Sequence, residues 1–215
     1  MVGELSNVVV NYFDVMGKAE VIRILLGYNG QTFKDNRVPH DDTWPAIKEK
    51  LTLPFGQMPT LEFELDGKKE ILAQSRAIEL FLAKHFGLLP ECEVGVAKVL
   101  QYCLGIDDLT ANFRPLLLEQ DVEKKGQIMK VLINDHVKPF LVRYDAFLKS
   151  NGTGFLVGKK LSVADLALYQ FLWLVINKFN IELDVSLVEL SKFFERIGND
   201  EKLKKYIESR PDTKW

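Results

Sequence analysis

The 215-residue sequence predicts two successive units, a small α/β unit built on a mixed sheet and then an all-helical one. Three observations carry that expectation. Short β-like apolar runs interleave with helical periodicity up to about residue 85, whereas strand-like alternation nearly vanishes beyond residue 90. Leu61, Phe63 and Leu65 alternate with Glu62 and Glu64, and Asp66-Gly67 supplies the two-residue turn of a hairpin that returns over Glu70 to Leu72. Between the two regimes, Phe86-Gly87-Leu88-Leu89-Pro90 can end a helix at Gly and cannot continue one through Pro. The expected units are residues 1–85 and 90–215.

In chain order, Val8-Val9-Val10 reads as a short buried strand, and Ala19 to Tyr28 as a helix with Ile22, Leu25 and Leu26 at helical spacing before Gly30. Thr32 to Val38 is a weaker strand, and Thr43 to Leu51 a short helix that tolerates Pro45 in its first turn. The hairpin follows, then a helix with Ser75 as its expected N-cap and Ile78, Phe81 and Leu82 on one face. This order, βαβ, α, ββ, α, describes a sheet with a parallel and an antiparallel half, the plan of thioredoxin-like folds. The second unit reads as helices near 91–118, 122–149, 162–179 and 186–208. Ser162-x-x-Asp165 marks the clearest helix start, a capping pattern with a carboxylate in place of Glu or Gln and with Leu161 and Leu166 placed as a staple.

Composition narrows the function. With 28 Lys plus Arg against 30 Asp plus Glu, the formal charge is -2 and there is no general attraction to polyanions, so nucleic acid is not an expected partner. The longest apolar stretch, Leu166 to Ile176, is interrupted by Gln170 and falls short of the roughly 20 residues of a membrane span. Cys92 and Cys103 lack the spacing of a redox or zinc pair, and the N-terminal segment MVGELSNVVV has no basic region of a signal peptide, so a reducing, cytoplasmic location is expected. His40, His85 and His136 share no ligand spacing, so no metal is expected. A small-molecule ligand is the better expectation.

In a thioredoxin-like unit the reactive position lies after the first strand, where a redox protein carries Cys-x-x-Cys. Here that segment is Asn11-Tyr12-Phe13-Asp14, which excludes disulfide exchange by the protein's own cysteines. A phenol with reference pKa near 10 stays protonated at neutral pH and can donate to an external thiolate, although a strand-end Tyr also serves as amphipathic core. Met58-Pro59 precedes the strand at Thr60; a cis bond there would turn the Met58 backbone outward to pair with an extended peptide, and an ordinary trans bond would not. Gln74-Ser75 sits at a helix N-terminus, which is either an anion site or only a cap. Trp44 and Lys48 are one turn apart, as a donor pair or a solvated surface pair.

With those positions marked, the whole chain resembles the cytosolic glutathione transferases, and most closely their sigma class, which includes glutathione-dependent prostaglandin D synthases. The stretches that carry the likeness are NYFDVMGKAEVIRILL, TWPAIK, LPFGQMPTLE, LAQSRAIELFLAKHFGL, GKKLSVADLALYQFLW and SRPDTKW. The resemblance implies an N-terminal thioredoxin-like domain followed by a C-terminal helical bundle, with glutathione as co-substrate. It implies Tyr12 as the catalytic residue, and glutathione contacts at Tyr12, Lys18, Trp44, Lys48, Gln57, Met58, Gln74 and Ser75. Asp108 would reach the glutathione amino group of the neighbouring subunit in a homodimer, and Arg76, from its place on the Ser75 helix, is a candidate for a charge contact across that interface. Phe13, Thr110, Phe171 and Trp215 would line the site for a small apolar electrophile. Lys18, Gln57 and Pro115 depart from the vertebrate prostaglandin synthase pattern, and lysine does not reproduce a guanidinium's bidentate geometry. The implied activity is conjugation of the glutathione thiolate to apolar electrophiles. The alternatives are prostaglandin-H to D isomerisation and a non-catalytic, crystallin-like binding role.

Overall fold

A computed structural model describes residues 3–213 of the chain. Its first unit is built on four strands, β1 (Leu5–Phe13), β2 (Lys34–Val38), β3 (Thr60–Leu65) and β4 (Lys68–Ala73). They lie in the order β2-β1-β3-β4, with β1 and β2 parallel and the other pairs antiparallel. Helices α1 (Glu20–Tyr28), α2 (Trp44–Lys48) and α3 (Ser75–His85) complete the expected βαβ, α, ββ, α order.

The parallel pair follows from the crossover through α1, whose one apolar face is fully buried at Ile22, Leu25 and Leu26. β1 is longer than its apolar core suggests, beginning at Leu5 and passing an irregularity between Ser6 and Val9 where Asn7 takes a φ of 50°. The hairpin turns on Asp66 and Gly67, both at positive φ, as two-residue turns of this kind require. A polar ladder crosses three strands and pins their register. Asn36 Nδ2 donates to Asn11 Oδ1 at 2.6 Å, and Asn11 Nδ2 donates to Glu62 Oε1 at 2.8 Å and to Thr60 Oγ1 at 3.2 Å.

The second unit holds α4 (Glu93–Ala111), α5 (Arg114–Leu118), α6 (Val122–Val131), α7 (Lys138–Asn151), α8 (Val163–Asn177) and α9 (Val188–Gly198). The expected helix at 91–118 breaks before Pro115, which sits in the first turn of α5. The expected helix at 122–149 is interrupted by a π-helical stretch, Leu132–Val137, just ahead of Pro139, whose missing N–H cannot continue the regular ladder. The start of α8 is as expected. Ser162 and Asp165 form a reciprocal capping box, in which the Ser162 N–H and hydroxyl donate to Asp165 Oδ2 at 2.8 and 2.7 Å. Asp165 Oδ1 also accepts from the Leu156 N–H at 2.8 Å and so fixes the preceding loop.

The last expected helix, 186–208, is two helices. Asp200 caps α10 (Glu201–Ser209) by accepting from the Lys202 and Leu203 N–H groups, and Gly198-Asn199-Asp200 separates it from α9. The break coincides with a change of unit. Residues 199–215 group with 1–88, and the helical unit is 89–198, so the expected assignment of 90–215 to one helical domain does not describe the chain's end. The reason lies on α1. Gly27 has no side chain where Tyr206 of α10 lies, and a Cβ there would stand 2.3 Å from Tyr206 Cδ2.

Candidate active site

Strand register assembles the site in the first unit. Thr60 pairs with Ala73, which puts Met58-Pro59 and Gln74-Ser75 beside each other at one end of the sheet. Asn11 pairs with Thr60, and Tyr12 and Phe13 pair with Arg37 and Val38, so β1 delivers Tyr12 and Phe13 to that same end. The Met58-Pro59 bond is cis. Gln74 takes a φ of 70° and is the N-cap of α3, so Ser75, expected as the cap, is instead the first helical residue, and neither side chain caps the helix. The first-turn N–H groups of an 11-residue helix therefore face this end of the sheet without a side-chain acceptor from the cap.

Tyr12 is nearly buried, and its hydroxyl accepts a hydrogen bond from the Lys18 backbone N–H at 3.2 Å. The phenolic proton is thereby left to point elsewhere. Burial raises the Tyr12 pKa above its ordinary value, while the Lys18 N–H and the Arg23 guanidinium pull it down. The group thus stays protonated at neutral pH, and the two opposing influences strengthen it as a donor. Gly17, at a φ of 41°, makes the approach possible, since a Cβ there would lie 2.8 Å from Tyr12 Oη.

Phe13 is half-buried between two rings. His40 stands edge-on at 4.6 Å and Trp44 at 5.0 Å between centroids, which ties the start of α2 to the end of β1. Lys18 is exposed, and so is Lys48, at the end of α2, whose Nζ approaches the Gly56 turn that leads to exposed Gln57 and half-buried Met58. Every residue of the first unit marked from the sequence therefore belongs to one end of the sheet or to the segments flanking it.

In the helical unit, Asp108 is exposed on α4, and Thr110 is half-buried with its hydroxyl donating to the Asp107 carbonyl at 3.1 Å. Phe171 is a core residue. It is 3% exposed and packs edge-on against Phe140 at 5.0 Å and Phe113 at 6.2 Å, so it offers little ring surface to a ligand. Trp215 lies outside the described residues. Arg76, expected to reach across an interface, pairs with Glu79 one turn along its own helix. Sequence reasoning missed Gly17 and Arg23. Gly17 carries no pattern of its own, and Arg23 reads as an ordinary polar-face position of α1, although it is fully buried.

Among the described residues, no group of three or more His, Cys, Asp or Glu side chains could hold a metal ion, and no helix is long and apolar enough to cross a membrane.

Comparison with known proteins gives these features a family. The model of the glutathione S-transferase C-terminal domain matches residues 107–210. Probable glutathione S-transferase 5 of Caenorhabditis elegans is 38% identical over 209 residues, covering 94% of this chain and 96% of the relative. A glutathione S-transferase of the hookworm Necator americanus, described as monomeric, superposes with a TM-score of 0.82 at 35% identity, covering 97% of this chain and all of that one. The sigma class enzyme of Fasciola hepatica superposes with a TM-score of 0.83 at 26% identity, covering 97% and 99% of the two chains. With a thioredoxin-like sheet, a helical second unit and relatives of this similarity along nearly its whole length, the chain belongs to the cytosolic glutathione S-transferases, in their nematode and sigma-like group.

Proposed function

We propose that this protein is an active glutathione transferase, in which Tyr12 donates a hydrogen bond to the glutathione thiolate for attack on a small apolar electrophile. The observation that carries the reading is the Tyr12 hydroxyl at the converging end of the sheet, held by the Lys18 N–H and kept protonated by burial. Glutathione is an extended tripeptide with a central thiol. The Met58 backbone pairs with its cysteine, the α3 N-terminus with Gln74 and Ser75 takes a carboxylate, and Lys18, Trp44, Lys48 and Gln57 hold the remaining polar groups.

A free thiol near pKa 8.5 is only a few per cent ionised at pH 7. Lowering it by about two units takes about 2.7 kcal/mol of preferential thiolate stabilisation, within reach of one well-placed hydroxyl plus nearby dipoles. Phe13, at the edge of the site, offers its half-buried ring to the apolar electrophile, and positioning of the two reactants supplies much of the rest of the rate. A homodimer in which Asp108 of each subunit serves its neighbour's glutathione site completes the proposal, with the cytoplasm as the place of action.

Conjugation of an aryl halide to glutathione tests the activity, and Tyr12→Phe tests the mechanism. The variant should bind glutathione with nearly unchanged affinity and lose roughly ten- to a thousandfold in turnover, regaining part of it as pH rises toward 9. Wild-type protein that binds glutathione and turns over no electrophile would favour the non-catalytic alternative.

A further inference from the structure

We propose that α10 supports the reaction, with Tyr206 and Arg210 acting through buried Glu20 and Arg23 as positioning residues for the Tyr12 hydroxyl; the inference rests on the role of Tyr12 given above. Tyr206 of α10 and Arg210, the residue that caps its C-terminus, end on one carboxylate oxygen. Tyr206 Oη donates to Glu20 Oε1 at 3.2 Å, and Arg210 Nη1 donates to the same atom at 2.9 Å. The other oxygen, Oε2, accepts from Arg23 Nη1 at 3.2 Å. The Glu20 and Arg23 side chains are 1% and 0% exposed, so none of these contacts is shared with bulk water.

Arg23 carries the arrangement to the site. Its Nη1 also donates to the Val15 and Met16 carbonyls at 2.8 and 3.4 Å. Those residues form the turn between Tyr12-Phe13 and Gly17-Lys18, and the Lys18 N–H at its end is the group that holds Tyr12 Oη. The guanidinium carbon itself lies 5.9 Å from the Tyr12 ring centroid. On its far side, Arg23 Nε binds Asp35 Oδ1 at 2.9 Å, while Arg37 joins Asp35 Oδ2 to Asp14, so the second arm of the network closes on β2.

The physical consequence is directional. A buried carboxylate needs all its donors, because an unmet lone pair in a dry site is not compensated by water. Removing the α10 donors admits water to Glu20 and frees Arg23 to follow the carboxylate, away from the Val15 and Met16 carbonyls. The turn then loosens, and the Lys18 N–H no longer holds the Tyr12 oxygen in one place. Gly27 shows that this docking is built into α1, since any side chain there would collide with the Tyr206 ring.

The test compares Tyr206→Phe, which deletes one oxygen, with Arg210→Gln and the conservative Arg210→Lys, all as full-length protein below their melting temperatures. Turnover with an aryl halide should fall roughly three- to tenfold for Tyr206→Phe and more for Arg210→Gln, with the Michaelis constant for glutathione within about twofold. The acid limb of the pH profile should move upward, and Arg210→Lys should recover part of the loss. In a Tyr12→Phe background, Tyr206→Phe should cause no further shift of that limb. Lower melting temperatures with unchanged turnover and pH profile would overturn the proposal, as would an effect confined to glutathione binding. If Arg210→Gln does not fold, Tyr206→Phe decides the matter alone. Tyr12→Phe measured alongside separates the two claims: no loss on removing the Tyr12 hydroxyl ends the transferase reading, whereas a loss there without one in the α10 variants ends only this inference.

Discussion

Gly17 sets the position of the Tyr12 oxygen as much as any side chain does. Its φ of 41° is unfavourable for other residues, and a Cβ would press on both Tyr12 Cε1 and Oη at 2.8 Å. Gly17→Ala should therefore displace the hydroxyl from the Lys18 N–H and lower turnover into the range of Tyr12→Phe, while glutathione affinity, measured calorimetrically, changes much less. Asn11 is the structural counterpart. It is 2% exposed and joins three strands through its amide, so Asn11→Leu leaves Asn36, Thr60 and Glu62 without that partner and should destabilise the protein by about 1–3 kcal/mol in urea unfolding.

Among the elements, α8 depends most on its first turn. Asp165 accepts from two backbone N–H groups and one hydroxyl, all in a buried setting. Asp165→Ala would strand those three donors, and a loss of roughly 2–5 kcal/mol is expected, large enough to read as a drop in melting temperature of several degrees. Ser162→Ala keeps the carboxylate and its backbone contacts, and should cost less than half as much. The same comparison separates capping from bulk packing, since neither substitution removes a large apolar side chain. If the two variants were equally destabilised, the loop bond from Leu156 would carry no weight.

At the scale of the whole molecule, two behaviours follow. Burial raises the pKa of Tyr12, of Tyr28, which reaches about 12 beside Asp200, and of Tyr206, whose neighbour Glu20 adds to the effect. A group whose folded pKa lies above its unfolded value near 10 contributes stability that is complete below pH 10 and is lost as pH rises through the folded value. Unfolding free energy should therefore decline between about pH 10 and 12, and Tyr206→Phe should flatten that decline relative to the wild type. The second behaviour is assembly. Sedimentation of micromolar protein should give twice the 24.6 kDa chain mass if Asp108 serves a neighbouring subunit. A species of 24.6 kDa with full activity would remove Asp108 from the site and align this chain with its monomeric hookworm relative.

Much of the architecture was legible because local rules act over a few residues. Alternation at Leu61 to Leu65, Asp66-Gly67 at the turn and Ser162-x-x-Asp165 at a helix start are short-range patterns, and each appears where its physics places it. The family resemblance named Tyr12, and the register brings Tyr12, Met58, Gln74 and Ser75 to one end of the sheet. Other features depend on partners far along the chain. Ser75 lost the cap position because Gln74 takes a positive φ at the end of β4, and Phe171, which the resemblance implied as a pocket residue, packs in an aromatic core. The break at Gly198-Asn199-Asp200 had a local signal, but the return of α10 to α1 did not. It rests on a missing side chain at Gly27 and on a carboxylate at Glu20, which is 186 and 190 residues from the Tyr206 and Arg210 that bind it. Only folding brings those groups together, and with water excluded they hold the turn that positions the Tyr12 hydroxyl.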